Sequence, residues 1–199
     1  MATSAQPYGL KPVNLIGGQP YAGSTRQVKI ASGHAANIFN GSVVSVLAAG
    51  TIDIVSEVGS NADAFPAGTL GVFVGCAFTD PNTKQKTFKQ YWPTGTVADD
   101  AVAYVVDDPS VVFQIQADDT LAQSALGTNI PVVNPTAGST TTGNSTMAAD
   151  ASAINTTDTI AFKIIGFVDS TTSEVGDAYT DILVKFNQKS HAYTNGTGI

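Results

Sequence analysis

From Leu70 to Phe78 the chain alternates, with Leu70, Val72, Val74, Cys76 and Phe78 on one side of a period of two and Gly71, Phe73, Gly75 and Ala77 on the other. That period predicts a β-strand with one wholly apolar face. Asp80-Pro81-Asn82-Thr83 then predicts a turn, because Pro81 pre-sets φ at the second position of a type I turn and Asp80 and Asn82 bond their own neighbouring backbone. The return strand is expected over Lys84 to Trp92, making Leu70 to Pro93 one long hairpin. With Thr79 facing Lys84, Gly75 would lie opposite Phe88 and Gly71 opposite Trp92, two rings covering two glycines.

The same period marks the other strands. Val28 and Ile30 alternate with Gln27 and Lys29 over Arg26 to Ala31, and Val- and Ile-rich runs follow at Ser42 to Leu47 and Thr51 to Val55. All are too short for helices. Ser56 to Thr69 reads as a loop. Val102 to Val106 and Val111 to Gln116, joined by Asp107-Asp108-Pro109-Ser110, read as a second hairpin that continues the first as a meander. Further strands are expected at Ile130 to Val133, Ile160 to Val168 and Asp181 to Asn187. One short helix is expected over Asp118 to Leu126, with Asp118 or Asp119 as its cap, Leu121, Ala122, Ala125 and Leu126 as its stripe and Gly127 as its stop.

Polar and broken stretches divide the chain. Residues 1–24 place Pro7, Pro12 and Pro20 among four glycines, a spacing that forbids a helix and predicts an extended arm. Its Tyr8, Leu10, Val13, Leu15, Ile16 and Tyr21 are too apolar for a solvated tail, so the arm is expected to lie on a surface, its own or a neighbour's. Residues 25–189 form the β-rich domain, with a smaller subdomain after about residue 117 left open, and residues 190–199 form a polar tail. Pro135 to Ser145 is a low-complexity loop with little to pack. The expected fold is all-β, an antiparallel β-barrel or sandwich with one short helix and an extended N-terminal arm.

Composition narrows the partners. In 199 residues, charged side chains make up only 13% and the net charge is -7, which disfavours a phosphate backbone as partner and argues against nucleic acid. No apolar run reaches the length of a membrane span, and the first residues lack a secretory pattern, so the chain is expected to be made in the cytosol. The single Cys, Cys76, reads as a small core residue.

Catalytic chemistry finds few candidates. His34 in a turn and His191 in the tail are the two histidines, neither with a partner at ligand spacing. The pairs Asp99-Asp100, Asp107-Asp108 and Asp118-Asp119 supply oxygens suited to Ca²⁺, but each has a plainer role in a turn, a cap or a strand start. Four Asn-X-Ser/Thr matches, at Asn40, Asn144, Asn155 and Asn195, are discounted without a secretory signal. Lys84, Lys86 and Lys89 beside Phe88 and Trp92 read as edge protection next to contact aromatics. No enzyme activity, cofactor or metal is expected.

A resemblance enters through specific runs. Tyr8-Gly9-Leu10-Lys11-Pro12-Val13-Asn14-Leu15 with Gly17-Gly18, then Gly71 to Gly75 leading to Gln90-Tyr91-Trp92-Pro93, then Ala103 to Pro109, resemble a family of tailed-bacteriophage virion proteins. Gly176-Asp177-Ala178-Tyr179 and Val184-Lys185-Phe186-Asn187 look like it too. The resemblance implies a capsid decoration, or cement, protein on the exterior of an icosahedral head, assembled in the host cytoplasm, binding the major capsid protein and self-associating as a homotrimer. It supplies no catalytic residues. The expected interface residues are Tyr8, Leu10, Pro12, Leu15 and Tyr21 of the arm with Phe88, Tyr91 and Trp92 of the hairpin. Alternatives are a tail- or fibre-associated virion protein and a carbohydrate-binding β-module or β-fold hydrolase using Trp92, Tyr91 and the acidic pairs.

Overall fold

The structure, a computed structural model, describes residues 4–56 and 65–198; most of the expected loop at 56–69 therefore lies outside the described residues. The fold is all-β. The first half supplies β1 (Lys11–Leu15), β2 (Arg26–Ile30), β3 (Val43–Val46), β4 (Thr51–Ile54), β5 (Thr69–Thr79), β6 (Lys86–Lys89) and β7 (Val102–Val106). The second half supplies β8 (Val111–Gln116), β9 (Asn129–Ile130), β10 (Val132–Val133), β11 (Ala148–Ala149), β12 (Phe162–Phe167) and β13 (Asp181–Phe186). No helix among the described residues is long and apolar enough to cross a membrane.

Two layers result. One sheet runs β3-β4-β2-β7-β5-β6, and because β3 also pairs with β5 the five strands β3, β4, β2, β7 and β5 close into a small barrel with β6 as an outer strand on β5. The pairing of β2 with β4 is parallel; the others in the barrel are antiparallel. The second sheet runs β1-β8-β13-β12-β9. A ribbon of β10 and β11 stands beside them.

Strand β5 explains how the layers join. Its Phe73, Cys76 and Phe78 fill the barrel with Ile30, Ile38, Val44, Ile52 and Trp92. Its Val72, with Val43 and Val106 from neighbouring barrel strands, turns outward onto Phe113, Ile115, Phe162, Ile164, Val184 and Phe186 of the second sheet. A strand covered on both sides loses the polar alternation of a half-exposed one, which is why this stretch is apolar nearly throughout. Each such side chain contributes about 1.5–3 kcal/mol on burial.

The expected strands from Arg26 to Gln116 form within a residue of their predicted ends, except that the return strand expected over Lys84 to Trp92 shrinks to Lys86–Lys89; two pairings also differ. Val102–Val106 and Val111–Gln116 are not a hairpin: β7 pairs with β2 and β5 inside the barrel, whereas β8 pairs with β1 and β13 in the other sheet. Asp107 to Ser110 is the corner between layers, closed by Val111 N–H donating to the Asp108 carbonyl and by Ser110 N–H donating to the Asp108 carboxylate. The hairpin register is also shifted. Thr79 pairs with Lys86 and Ala77 with Phe88, because the connection takes six residues rather than four. Lys84 adopts a φ of 60° and its N–H bonds the Asp80 carbonyl, while Asp80 N–H bonds the Gln85 carbonyl.

The expected helix at Asp118 to Leu126 does not form; only a 3-10 turn at Gln123–Ala125 does. The backbone there is engaged across the fold instead, since Asp118 N–H donates to the Ala149 carbonyl and Leu121 N–H to the Thr180 hydroxyl. Pro131 splits the expected strand Ile130 to Val133 into β9 and β10. Pro135 to Ser145 packs more than expected, with Ser145 fully buried and Asn40 and Asn144 forming a bridge.

Both ends of the chain are built in. Lys11–Leu15 is the edge strand β1, where Pro12, lacking an N–H, sits at a bulge opposite Phe113. At the other end Ser190 and His191 are buried to 1%, and Ala192 N–H donates to the Thr69 carbonyl. His191 lies edge-on to Phe186, with centroids 5.3 Å apart. Composition alone hides this anchoring.

Candidate functional site

The β5–β6 hairpin is fixed at its loop end by two carboxylates. At its tip the Asp80 carboxylate accepts from Asn82 N–H at 2.8 Å and Thr83 N–H at 3.1 Å, and these amides hold its pKa below the ordinary carboxylate range. At the adjoining Thr79–Lys86 pair the Asp100 carboxylate accepts from Lys86 Nζ at 2.8 Å, from Thr79 N–H at 2.9 Å and from the Thr79 hydroxyl at 2.7 Å. These donors, Lys86 foremost, push Asp100 far below its usual range. The loop from Thr94 to Ala101 is thereby pinned to the hairpin.

That frame presents a large ring to solvent. Phe88 pairs with Ala77, and Ala77 with Val102, so the three share a cross-strand row on the outside of the barrel. Phe88 is 70% exposed, and Val97 in the pinned loop is 65% exposed. Among the described residues β6 ends the sheet order and leaves one edge unpaired. An exposed ring beside an open strand edge is suited to protein contact by added pairing and apolar burial.

The remaining predicted interface residues are scattered and several are internal. Trp92 is fully buried, its ring edge-on to Phe78, and Leu10 is 1% exposed in the core between the layers; neither offers a surface. Leu15 pairs with Val111 and, like Tyr21, packs on that core; the Tyr21 hydroxyl donates to the Ser24 carbonyl. Tyr8 donates to Asp181 Oδ1 at 2.9 Å beneath Lys11 Nζ, and burial, then Asp181, drives its pKa well above the ordinary phenol value. Tyr91 stacks on Phe39 with centroids 5.7 Å apart. Tyr8, Leu10, Pro12 and Leu15 thus gather at the β1 edge of one sheet, while Phe88, Tyr91 and Trp92 belong to the barrel. Val97 escaped sequence reading because a lone apolar residue in a Thr-Gly turn carries no period.

Reactive groups occupy structural positions. Burial pushes the Cys76 thiol up to about 12, and its S–H donates to the Tyr91 carbonyl. His34 Nε2 stands 3.2 Å from Asp53 Oδ1. Asp107 binds the Arg26 guanidinium and the Tyr193 hydroxyl, Asp118 accepts from Ala151 N–H and Asp119 from Thr120 N–H. Among the described residues no three His, Cys, Asp or Glu side chains converge as metal ligands. With Trp92 internal, the aromatic pair Trp92 and Tyr91 makes no platform for a sugar ring.

Compared with protein-family models, with curated proteins and with solved structures, the chain has no match.

Proposed function

We propose that the chain is a non-catalytic virion structural protein that seats on the outer surface of an icosahedral phage head, bound to the major capsid protein as a homotrimer and cementing adjacent capsomers. The observation that carries the contact role is Phe88, 70% exposed on a hairpin that Asp100 and Asp80 hold rigid. A pre-ordered apolar ring loses little conformational entropy on docking and gains from leaving water. The choice of a phage head rests on the resemblance of Tyr8–Leu15, Gly71–Gly75, Gln90–Pro93 and Ala103–Pro109 to decoration proteins. The structural positions of Cys76, His34 and His191 support a non-catalytic reading.

The test is co-sedimentation of the purified chain with heads assembled from its major capsid protein. Saturable binding in multiples of three per head facet is the expected result. Heads that sediment free of the chain across the accessible concentration range would overturn the reading.

A further inference from the structure

The outer face of the five-stranded sheet concentrates cations in an acidic protein. Lys163 and Lys185 lie directly opposite each other across β12 and β13. Like charges so placed repel at cross-strand distance, and among the described residues no carboxylate lies within ion-pair distance of either. Both line a recess of about 340 Å³ together with Asp158, Asn187, Gln188 and Lys189. In that recess Lys189 Nζ already holds the Asp158 carboxylate at 2.7 Å. Among the described residues one lysine has a carboxylate, and two have none.

We propose that this recess is a carboxylate-binding site, in which an incoming carboxylate bridges Lys163 and Lys185 as Asp158 serves Lys189. The ligand would cancel the repulsion of the opposed ammonium groups and gain charge-assisted hydrogen bonds. A second hollow of about 630 Å³, lined by Phe65, Thr159, Asn195 and Thr197, shares Gln188 and Lys189 with the recess. Two adjoining hollows with amide, hydroxyl and ammonium groups in their lining suit an acidic peptide segment better than a free ion. The chain's own excess of 16 Asp and Glu over 9 Lys and Arg makes another copy one source of such a segment.

The test titrates fluorescent hexaglutamate peptide into the full chain at low salt, with citrate as competitor. Saturable binding is expected, weakened about tenfold or more by Lys163→Gln or Lys185→Gln, the loss of one charge-assisted contact. Lys84→Gln, at the distant hairpin tip, removes the same charge and should leave affinity within about twofold, a change of general attraction only. Displacement by citrate at concentrations matching the peptide would assign the site to free polycarboxylates, and resistance to citrate would assign it to a protein segment. Thermal unfolding of the free variants checks folding, with Lys185→Gln expected at or above the wild-type Tm because the opposed charges are relieved. Absence of saturable binding, or equal weakening by all three substitutions, would overturn the proposal.

Discussion

Phe78 and Trp92 meet edge to face inside the barrel, with ring centroids 5.2 Å apart and planes at 73°. The contact is made because Trp92 leaves the β6 strand and bridges to Ile38, its N–H donating to the Ile38 carbonyl at 2.8 Å. Trp92→Ala should therefore cost about 3–5 kcal/mol, the range for emptying a large aromatic site. Trp92→Phe should cost clearly less, since among the described residues the indole N–H finds no acceptor and Phe removes that buried donor. Urea unfolding gives both values. A loss under about 1 kcal/mol for the alanine variant would place the ring outside the core.

Two glycines of β5 separate by how closely another strand approaches. A Cβ on Gly71 would sit 2.0 Å from the Val106 carbonyl oxygen, whereas one on Gly75 would meet only the Lys89 carbonyl at 3.2 Å. Gly71→Ala must push β5 from β7 and should destabilise by about 2 kcal/mol or more; Gly75→Ala should cost about half of that. The comparison is made by urea midpoint. Equal effects would contradict the close approach of the Val106 carbonyl to Gly71.

The strands were legible because alternation needs no knowledge of the partner: Val102–Val106 and Val111–Gln116 are bounded by Asp and Pro. Their partners were not legible. Nothing in Asp107-Asp108-Pro109-Ser110 distinguishes a hairpin turn from a corner between sheets, and the choice is made by distant groups, Arg26 and Tyr193 binding Asp107. The helix expected at Asp118 failed for the same reason, as local capping signals lost to hydrogen bonds that Asp118 and Leu121 N–H donate to the Ala149 carbonyl and the Thr180 hydroxyl. For the contact surface, Phe88 could be named from sequence, but only the register, set by the φ of Lys84, turns it outward and sends Trp92 in. The opposed lysines of β12 and β13 were likewise hidden until pairing placed them together.

The buried histidine makes stability depend on pH. Burial lowers the pKa of His191, against the opposing pull of Asp107 and Asp108. In the unfolded chain the imidazole titrates near about 6.5, so below that pH the unfolded state takes up a proton that the folded state resists. Stability is thus fully present above about 6.5 and declines as pH falls below it. Urea midpoints between pH 8 and pH 5.5 should fall for the wild type and fall less for His191→Gln. Parallel pH profiles would contradict the role of His191.

Asp100 clamps the hairpin without being buried. Its lowered pKa means that its contribution is present above the ordinary carboxylate pKa and is lost as pH falls toward the folded value. Asp100→Asn should speed hydrogen exchange of the Thr79 amide, which donates to the carboxylate at 2.9 Å, while leaving the global urea midpoint almost unchanged. Unchanged exchange at Thr79 would show that the hairpin is held by other contacts.

The most direct test of the proposed role is an electron cryo-microscopy map of heads incubated with wild-type chain and, in parallel, with Phe88→Asp. The substitution places a charge where a ring is 70% exposed, so folding should be unaffected. The account predicts trimeric density on the outer head surface with Phe88 at a protein contact, and bare heads for the variant at the same concentration. Equal decoration by both proteins, or Phe88 facing solvent in the bound trimer, would contradict it.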